Sequence, residues 1–178
     1  RKFEINLVGE GATASVFGLY ILKGNTKSSS GVAVNHMAKN CKSEQIVRAI
    51  LDDKARGNFE GKILVAKHAA VTVAHQECKS LLLSDTALVS ASPTLEIYTD
   101  DVKCSHGAAS GMIDPEAMFY MKARGISEDK AKELLTFAFA KTIIDKIEKP
   151  ELKVETEKKV KQKLEKSCMH IYDERYDI

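Results

Sequence analysis

Tryptophan is absent from the 178 residues, and aromatic side chains make up only 6% of them. An excess of charge of one sign is missing too, since the formal net charge is +2. The chain therefore carries neither the polyelectrolyte footprint of a nucleic-acid binder nor a basic membrane patch. Long apolar runs are lacking. The longest candidate, residues 14–22, is interrupted by Gly18 and falls far short of the roughly 20 residues that cross a bilayer. Arg1-Lys2-Phe3-Glu4-Ile5-Asn6-Leu7 alternates as a strand does and lacks the apolar core of a signal peptide. The four cysteines, Cys41, Cys78, Cys104 and Cys168, are too scattered for a disulfide framework or a Cys-x-x-Cys knuckle. A reducing, cytoplasmic compartment is the expectation.

What remains is a globular composition, 44% hydrophobic and 29% charged. It is sufficient for one domain with a sizeable core, or for one domain and a helical appendage. Through Cys104 the apolar residues come in brief runs, among them Phe3-Glu4-Ile5-Asn6-Leu7, Gly31-Val32-Ala33-Val34, Ile63-Leu64-Val65, Leu81-Leu82-Leu83 and Leu95-Glu96-Ile97-Tyr98. Gly24-Asn25, Ser28-Ser29-Ser30-Gly31, Gly57-Asn58 and Ser84-Asp85 punctuate them. Short strands at this spacing fit a sandwich, a barrel or a β-helix. Continuously apolar runs and a loose repeat tilt the choice toward coils stacked on one another. Residues 43–55 combine helical spacing with β-branched content and lean toward strand.

After Gly111 the period changes. Asp114-Pro115-Glu116 opens a helix, with Asp114 as cap and Pro115 in the first turn, and Gly125 closes it. Ser127-Glu128-Asp129 opens a second, whose expected apolar stripe is Ala131, Leu134, Leu135, Ala138, Thr142 and Ile143, ending at Pro150. Residues 151–167 read as an exposed helix with a thin stripe of Val154, Val160 and Leu164, ordered by a partner. The expected domains are a β core over residues 1–111, a helical domain over 112–168 and a tail over 169–178.

Chemistry concentrates in residues 95–111, where the chain changes character. Cys104 and His106 stand at i and i+2, so on a strand they share a face. They offer thiolate and imidazole to a soft metal or an iron–sulfur cluster, or else they are a half-buried cysteine and a hydrogen-bonded histidine at a strand end. Two donors do not complete a tetrahedral site, so a ligand function needs another chain. Asp100-Asp101 offers carboxylates of the kind β-helix polysaccharide enzymes use, but neighbours on a strand diverge, and a solvated turn is the plainer reading. His36, Cys41, His68, His75 and Cys78 match no compact ligand pattern, nor does Cys168-Met169-His170. Ser105 lacks a nucleophile elbow, and no glycine loop cradles a phosphate, so any ATP is bound by a partner.

A set of motifs falls in one order: Asn35-His36-Met37 with Asn40-Cys41, Ile50-Leu51-Asp52-Asp53-Lys54-Ala55-Arg56-Gly57, Phe59-Glu60-Gly61-Lys62-Ile63, Leu81-Leu82-Leu83-Ser84-Asp85, Asp100-Asp101-Val102-Lys103-Cys104-Ser105-His106-Gly107-Ala108, and Phe119-Tyr120 before Arg124-Gly125-Ile126-Ser127. Across residues 31–143 this resembles the SufB/SufD family of iron–sulfur cluster assembly scaffolds. The resemblance implies a right-handed parallel β-helix followed by a small C-terminal helical domain, and a non-enzymatic scaffold. Cys104-Ser105-His106-Gly107 is similar to the SufD form, where the SufB form has a Glu-His-Glu type sequence. By the same resemblance, the β-helix pairs with SufB and the C-terminal helices bind the ATPase SufC. Cys104 and His106 are then expected to meet a nascent cluster, or iron, shared transiently with SufB, and a homodimer is an option for the isolated chain. Family members also carry an N-terminal helical region and earlier coils, so the chain is expected to start partway through the β-helix with a coil edge to be covered. Two alternatives belong to other classes, a β-helix polysaccharide enzyme resting on Asp100-Asp101 and an interaction module in which Cys104 only packs.

Overall fold

The computed structural model describes residues 1–168, and the expected tail over residues 169–178 lies outside the described residues. Eight strands come first: β1 (Lys2–Leu7), β2 (Thr13–Leu22), β3 (Lys27–His36), β4 (Lys42–Leu51), β5 (Arg56–Val65), β6 (Thr72–Leu82), β7 (Leu88–Ile97) and β8 (Val102–Gly111). Odd strands form one parallel sheet in the order β1-β3-β5-β7, and even strands a second, β2-β4-β6-β8. Parallel neighbours need a crossover, and here the intervening strand of the other sheet supplies it. Lys2 pairs with Gly31 and Thr72 with Val102, one coil later in each case. The result is a parallel β-helix of about four coils, the member of the three options toward which the continuously apolar runs tilt and the one that the family resemblance implies. Of residues 43–55, those up to Leu51 lie in strand β4, as expected, and residues 52–55 form the turn that follows it.

Alternate side chains enter the space between the sheets. Leu22, Ala49, Leu51, Phe59 and Cys78 fill its middle, where the Tyr20 and Phe59 rings meet at 4.6 Å. Leu7, Val34 and Cys41 form one flanking cluster and Ile63, Val65, Ala69 and Ala74 another. The continuous run Leu81-Leu82 is explained by two different surroundings. Leu82 packs against the interior cluster, while Leu81 joins Ile50 on the outer face, beneath the helices.

Corners repeat as well. Gly11, Asn40 and Val71 all adopt positive φ, at 71°, 60° and 61°. Each donates its N–H to the next coil, at Lys39 O, Ala70 O and Asp101 O.

Three helices follow: α1 (Pro115–Ala123), α2 (Glu128–Ile144) and α3 (Pro150–Cys168). Asp114 and Ser127 cap the first two, accepting from Glu116 N and Lys130 N, and Gly125 takes φ +82° after α1. The buried face of α2 is rotated from the expected stripe. Ala131, Thr136, Ala140, Ile143 and Ile144 are buried, whereas Leu134, Ala138 and Thr142 are exposed. The helix α3 is ordered within the chain itself, because Val160 and Leu164 pack with Ala140 and Ile144 of α2 and Lys153 pairs with Asp145. Val154, the third member of its expected stripe, is exposed. Among the described residues, no helix is long and apolar enough to cross a membrane.

Candidate functional site

Strand β8 closes the even sheet and, among the described residues, pairs with β6 on one edge only. Its other edge, with that of β7, forms the open end of the β-helix. Opposite Ala74 stands Cys104, and opposite Gln76 stands His106. Ala74 and Gln76 are buried residues of the interior, so Cys104 and His106 share the inward face of the last coil. Lys103 and Ser105 take the outward face, where His75 Nδ1 lies 2.9 Å from Ser105 Oγ.

The thiol of Cys104 is half-buried against the cluster of Ile63, Val65, Ala69 and Ala74. Burial pushes its pKa up, partly opposed by a hydrogen bond to the Ala74 backbone. The His106 side chain is exposed, and from Ser105 onward every residue of β8 is open to solvent. Beyond His106 the strand runs Gly107-Ala108-Ala109-Ser110-Gly111, and a Cβ placed on Gly107 or Gly111 would meet nothing within 4 Å. Small residues thus leave a ledge beside the two donors.

The other candidates disperse. His36 is fully buried with Nε2 2.8 Å from Ser43 Oγ, and burial lowers its pKa. Cys41 is buried and faces the Gly9 and Lys39 carbonyls, and His68 reaches Met37 O. Cys78 lies in the middle interior cluster, where burial raises its pKa. Asp100 and Asp101 are exposed in the bend before β8, and Val71 N donates to Asp101 O at 2.7 Å. Cys168 ends α3, whereas His170 lies outside the described residues. Among the described residues, no three His, Cys, Asp or Glu side chains come together around a metal. Cys104 and His106 are thus two soft donors without a third.

Sequence reasoning overlooks the residues beneath them. Gln45, Gln76 and His106 occupy one inward column on successive coils. Gln76 Nε2 donates to Gln45 Oε1 at 3.1 Å, and Gln45 Nε2 donates to Lys62 O at 3.2 Å. Their spacing of about one coil was the available signal, but it is visible only once the register is known. At the helical end, α1 buries none of its residues, and Phe119 and Tyr120 are exposed, with the Arg124 guanidinium 4.7 Å from the Tyr120 ring.

Comparison with known proteins adds to this geometry. Residues 1–139 match the family model described as SUF system FeS cluster assembly, SufBD core domain. Over 158 residues the chain is 36% identical to the iron-sulfur cluster assembly protein SufD of Escherichia coli (strain K12), covering 89% of this chain and 37% of that protein. It is 38% identical over 141 residues to an iron-sulfur cluster assembly SufBD family protein of Synechocystis, covering 78% of this chain and 31% of that one. To the protein named SufD in Plasmodium falciparum it is 29% identical over 161 residues, 89% of this chain and 11% of the relative. The chain therefore spans less than two fifths of the length of these relatives.

Proposed function

The chain belongs to the SufB/SufD family of iron–sulfur cluster assembly proteins, on its SufD branch, and on that premise we propose that it is a scaffold whose Cys104 and His106 form half of an assembly site completed by a SufB-like subunit. The observation that carries the reading is the placement of Cys104 and His106 on one face of an end strand, with no third donor from the described residues. Thiolate and imidazole suit iron and its clusters. The cluster is cargo in this reading, held transiently and shared across the interface.

Cys104 is the partly sheltered donor. Its raised pKa keeps the proton on sulfur in the isolated subunit, and loading of iron displaces that proton. His106 is the accessible donor, and the small residues after it let another backbone approach. The unpaired edge of β8 offers N–H and C=O groups for pairing with a second β-helix. A SufC-like ATPase docks on the helical end, for which the exposed Phe119 and Tyr120 supply aromatic anchors. ATP is hydrolysed by that partner and not by this chain. Free thiols at Cys41, Cys78 and Cys104 suit a reducing, cytoplasmic compartment.

Cells depending on the full-length protein provide the test. Cys104→Ala with His106→Ala is expected to abolish cluster-dependent enzyme activity while leaving the protein's abundance and its association with partners unchanged. Undiminished cluster supply in that double variant overturns the assignment and leaves Cys104 as a packing residue.

A further inference from the structure

We propose that Gln76 is a positioning residue for His106, accepting a hydrogen bond from one ring N–H so that the other ring nitrogen is presented bare at the coil end. The inference rests on the reading of His106 as an iron donor. The first observation is the column itself, since Gln76 pairs with His106 on the next coil and both face inward. Adjacent rungs of a sheet are about 4.8 Å apart, within reach of one hydrogen bond between an amide and an imidazole.

The second observation fixes which amide atom is available. Lys62 O can only accept, so Gln45 must turn its Nε2 toward it and its Oε1 toward Gln76. Gln76 in turn must donate through Nε2, which leaves Oε1 as the free end of the chain. That oxygen is buried and has no hydrogen-bond partner among the described residues, and Gln76 as a whole is only 4% exposed. A buried acceptor without a donor is costly, and it selects for a donor when one is brought near. His106 is the residue of the next rung with an N–H to give.

The third observation is room. A void of ≈ 30 Å³ adjoins Gln76 and is lined also by Gln45, Gly61, Ser92 and Pro93 but by no residue of β8, so it gives the Gln76 amide room to turn toward the next rung. Space of that order admits one water or one repositioned side-chain atom. In the free chain the His106 ring is exposed. Covering the coil end with a second subunit takes that ring out of water, and Gln76 Oε1 is the partner waiting for it. The other titratable groups on this inward face are Cys104, two residues away on β8, and Cys78 on β6, while Glu77 and Lys103 belong to the outward face. Imidazole ligands are oriented in this way by an acceptor at their second nitrogen, and removal of the acceptor typically weakens metal binding by about 10- to 100-fold.

The experiment uses the full-length protein assembled with its SufB-like partner, with ¹⁵N-labelled histidine and ferrous iron as the probe. Wild type is expected to hold His106 in a single neutral tautomer. Gln76→Leu is expected to give a tautomer mixture and to lose iron about 10- to 100-fold more readily. Equal tautomer populations in wild type and Gln76→Leu overturn the inference. The parent reading is tested separately by His106→Ala. If that variant retains iron as wild type does, the donor assignment falls. If it loses iron while Gln76→Leu changes neither tautomer nor retention, only the role of Gln76 falls.

Discussion

The side-chain amide of Gln76 occupies the space that a side chain at residue 61 would need. A Cβ placed on Gly61 would come 1.8 Å from Gln76 Nε2 and 2.8 Å from the amide carbon. Gly61 on β5 and Gln76 on β6 thus face each other across the interior, and the absence of one side chain admits the other. The polar column below His106 depends on this exchange, because the displaced amide would lose its bond to Gln45.

Gly61→Ala is therefore expected to destabilise the protein by about 2 to 4 kcal/mol, combining overpacking with a broken buried hydrogen bond. Gly61→Ala with Gln76→Ala should cost clearly less than the sum of the two single changes, because the second removes what the first strikes. Chemical denaturation of the four proteins measures the coupling. Simple additivity would contradict the steric account.

Val71 is the strained member of its corner column. Gly11 and Asn40 tolerate positive φ, whereas a β-branched residue at φ 61° does not. Val71→Asn keeps the N–H that reaches Asp101 O and is expected to stabilise by about 1 kcal/mol, raising Tm by roughly 2 to 4 °C. A melting temperature that stays the same or falls would show that the corner is relaxed as it stands.

His36 predicts a pH dependence. It is fully buried, its Nδ1 lacks a partner among the described residues, and burial holds its pKa below the ordinary histidine value. The unfolded chain therefore binds a proton more readily than the folded one. This group costs nothing well above the unfolded value, near 6.5, and stability falls as pH drops below it, levelling out once the folded pKa is passed. The slope in that window is at most about 1.4 kcal/mol per pH unit for one proton. Urea titrations at several pH values should show a shallower acid slope in His36→Gln than in wild type. Identical slopes would assign the acid sensitivity elsewhere.

Thiol labelling distinguishes the cysteines. Cys104 is half-buried whereas Cys41 and Cys78 are buried, so Cys104 is expected to react before those two with an alkylating reagent. Its raised pKa should nevertheless make it slower at pH 7 than an ordinary exposed thiol, with the rate still rising at a pH where an ordinary thiol has levelled off. Fast labelling at neutral pH, measured by mass spectrometry, would mean that the thiolate is already favoured.

Much of this was legible in the residues because the physics involved is local. Period-two strands, the turns at Gly24-Asn25 and Ser84-Asp85, and the Asp114 and Ser127 caps each follow from neighbours a few positions apart, whereas Ser28-Ser29-Ser30-Gly31 and Gly57-Asn58, which read as turns, lie inside β3 and β5 because the next coil pairs with them. The shared face of Cys104 and His106 follows from the same period. The buried face of α2 was not legible, because Leu134, Leu135, Phe137, Ala138, Phe139 and Ala140 surround the helix and periodicity selects no single side. Nor was the docking of α3, whose stripe is too thin to reveal that Val160 and Leu164 meet Ala140 and Ile144. The column Gln45–Gln76–His106 depends on register across coils of unequal length. One residue of error would move every member to the opposite face, so no pattern within one strand discloses it.

The most direct measurement of the central claim is anaerobic reconstitution of the full-length protein with its SufB-like partner and ⁵⁷Fe, followed by Mössbauer and absorption spectroscopy of wild type, Cys104→Ala and His106→Ala. The account predicts that wild type forms a cluster, that each variant forms a folded complex, and that cluster yield falls at least tenfold in both. Wild-type yield and spectra in both variants would contradict it, and would place the cluster wholly on the other subunit.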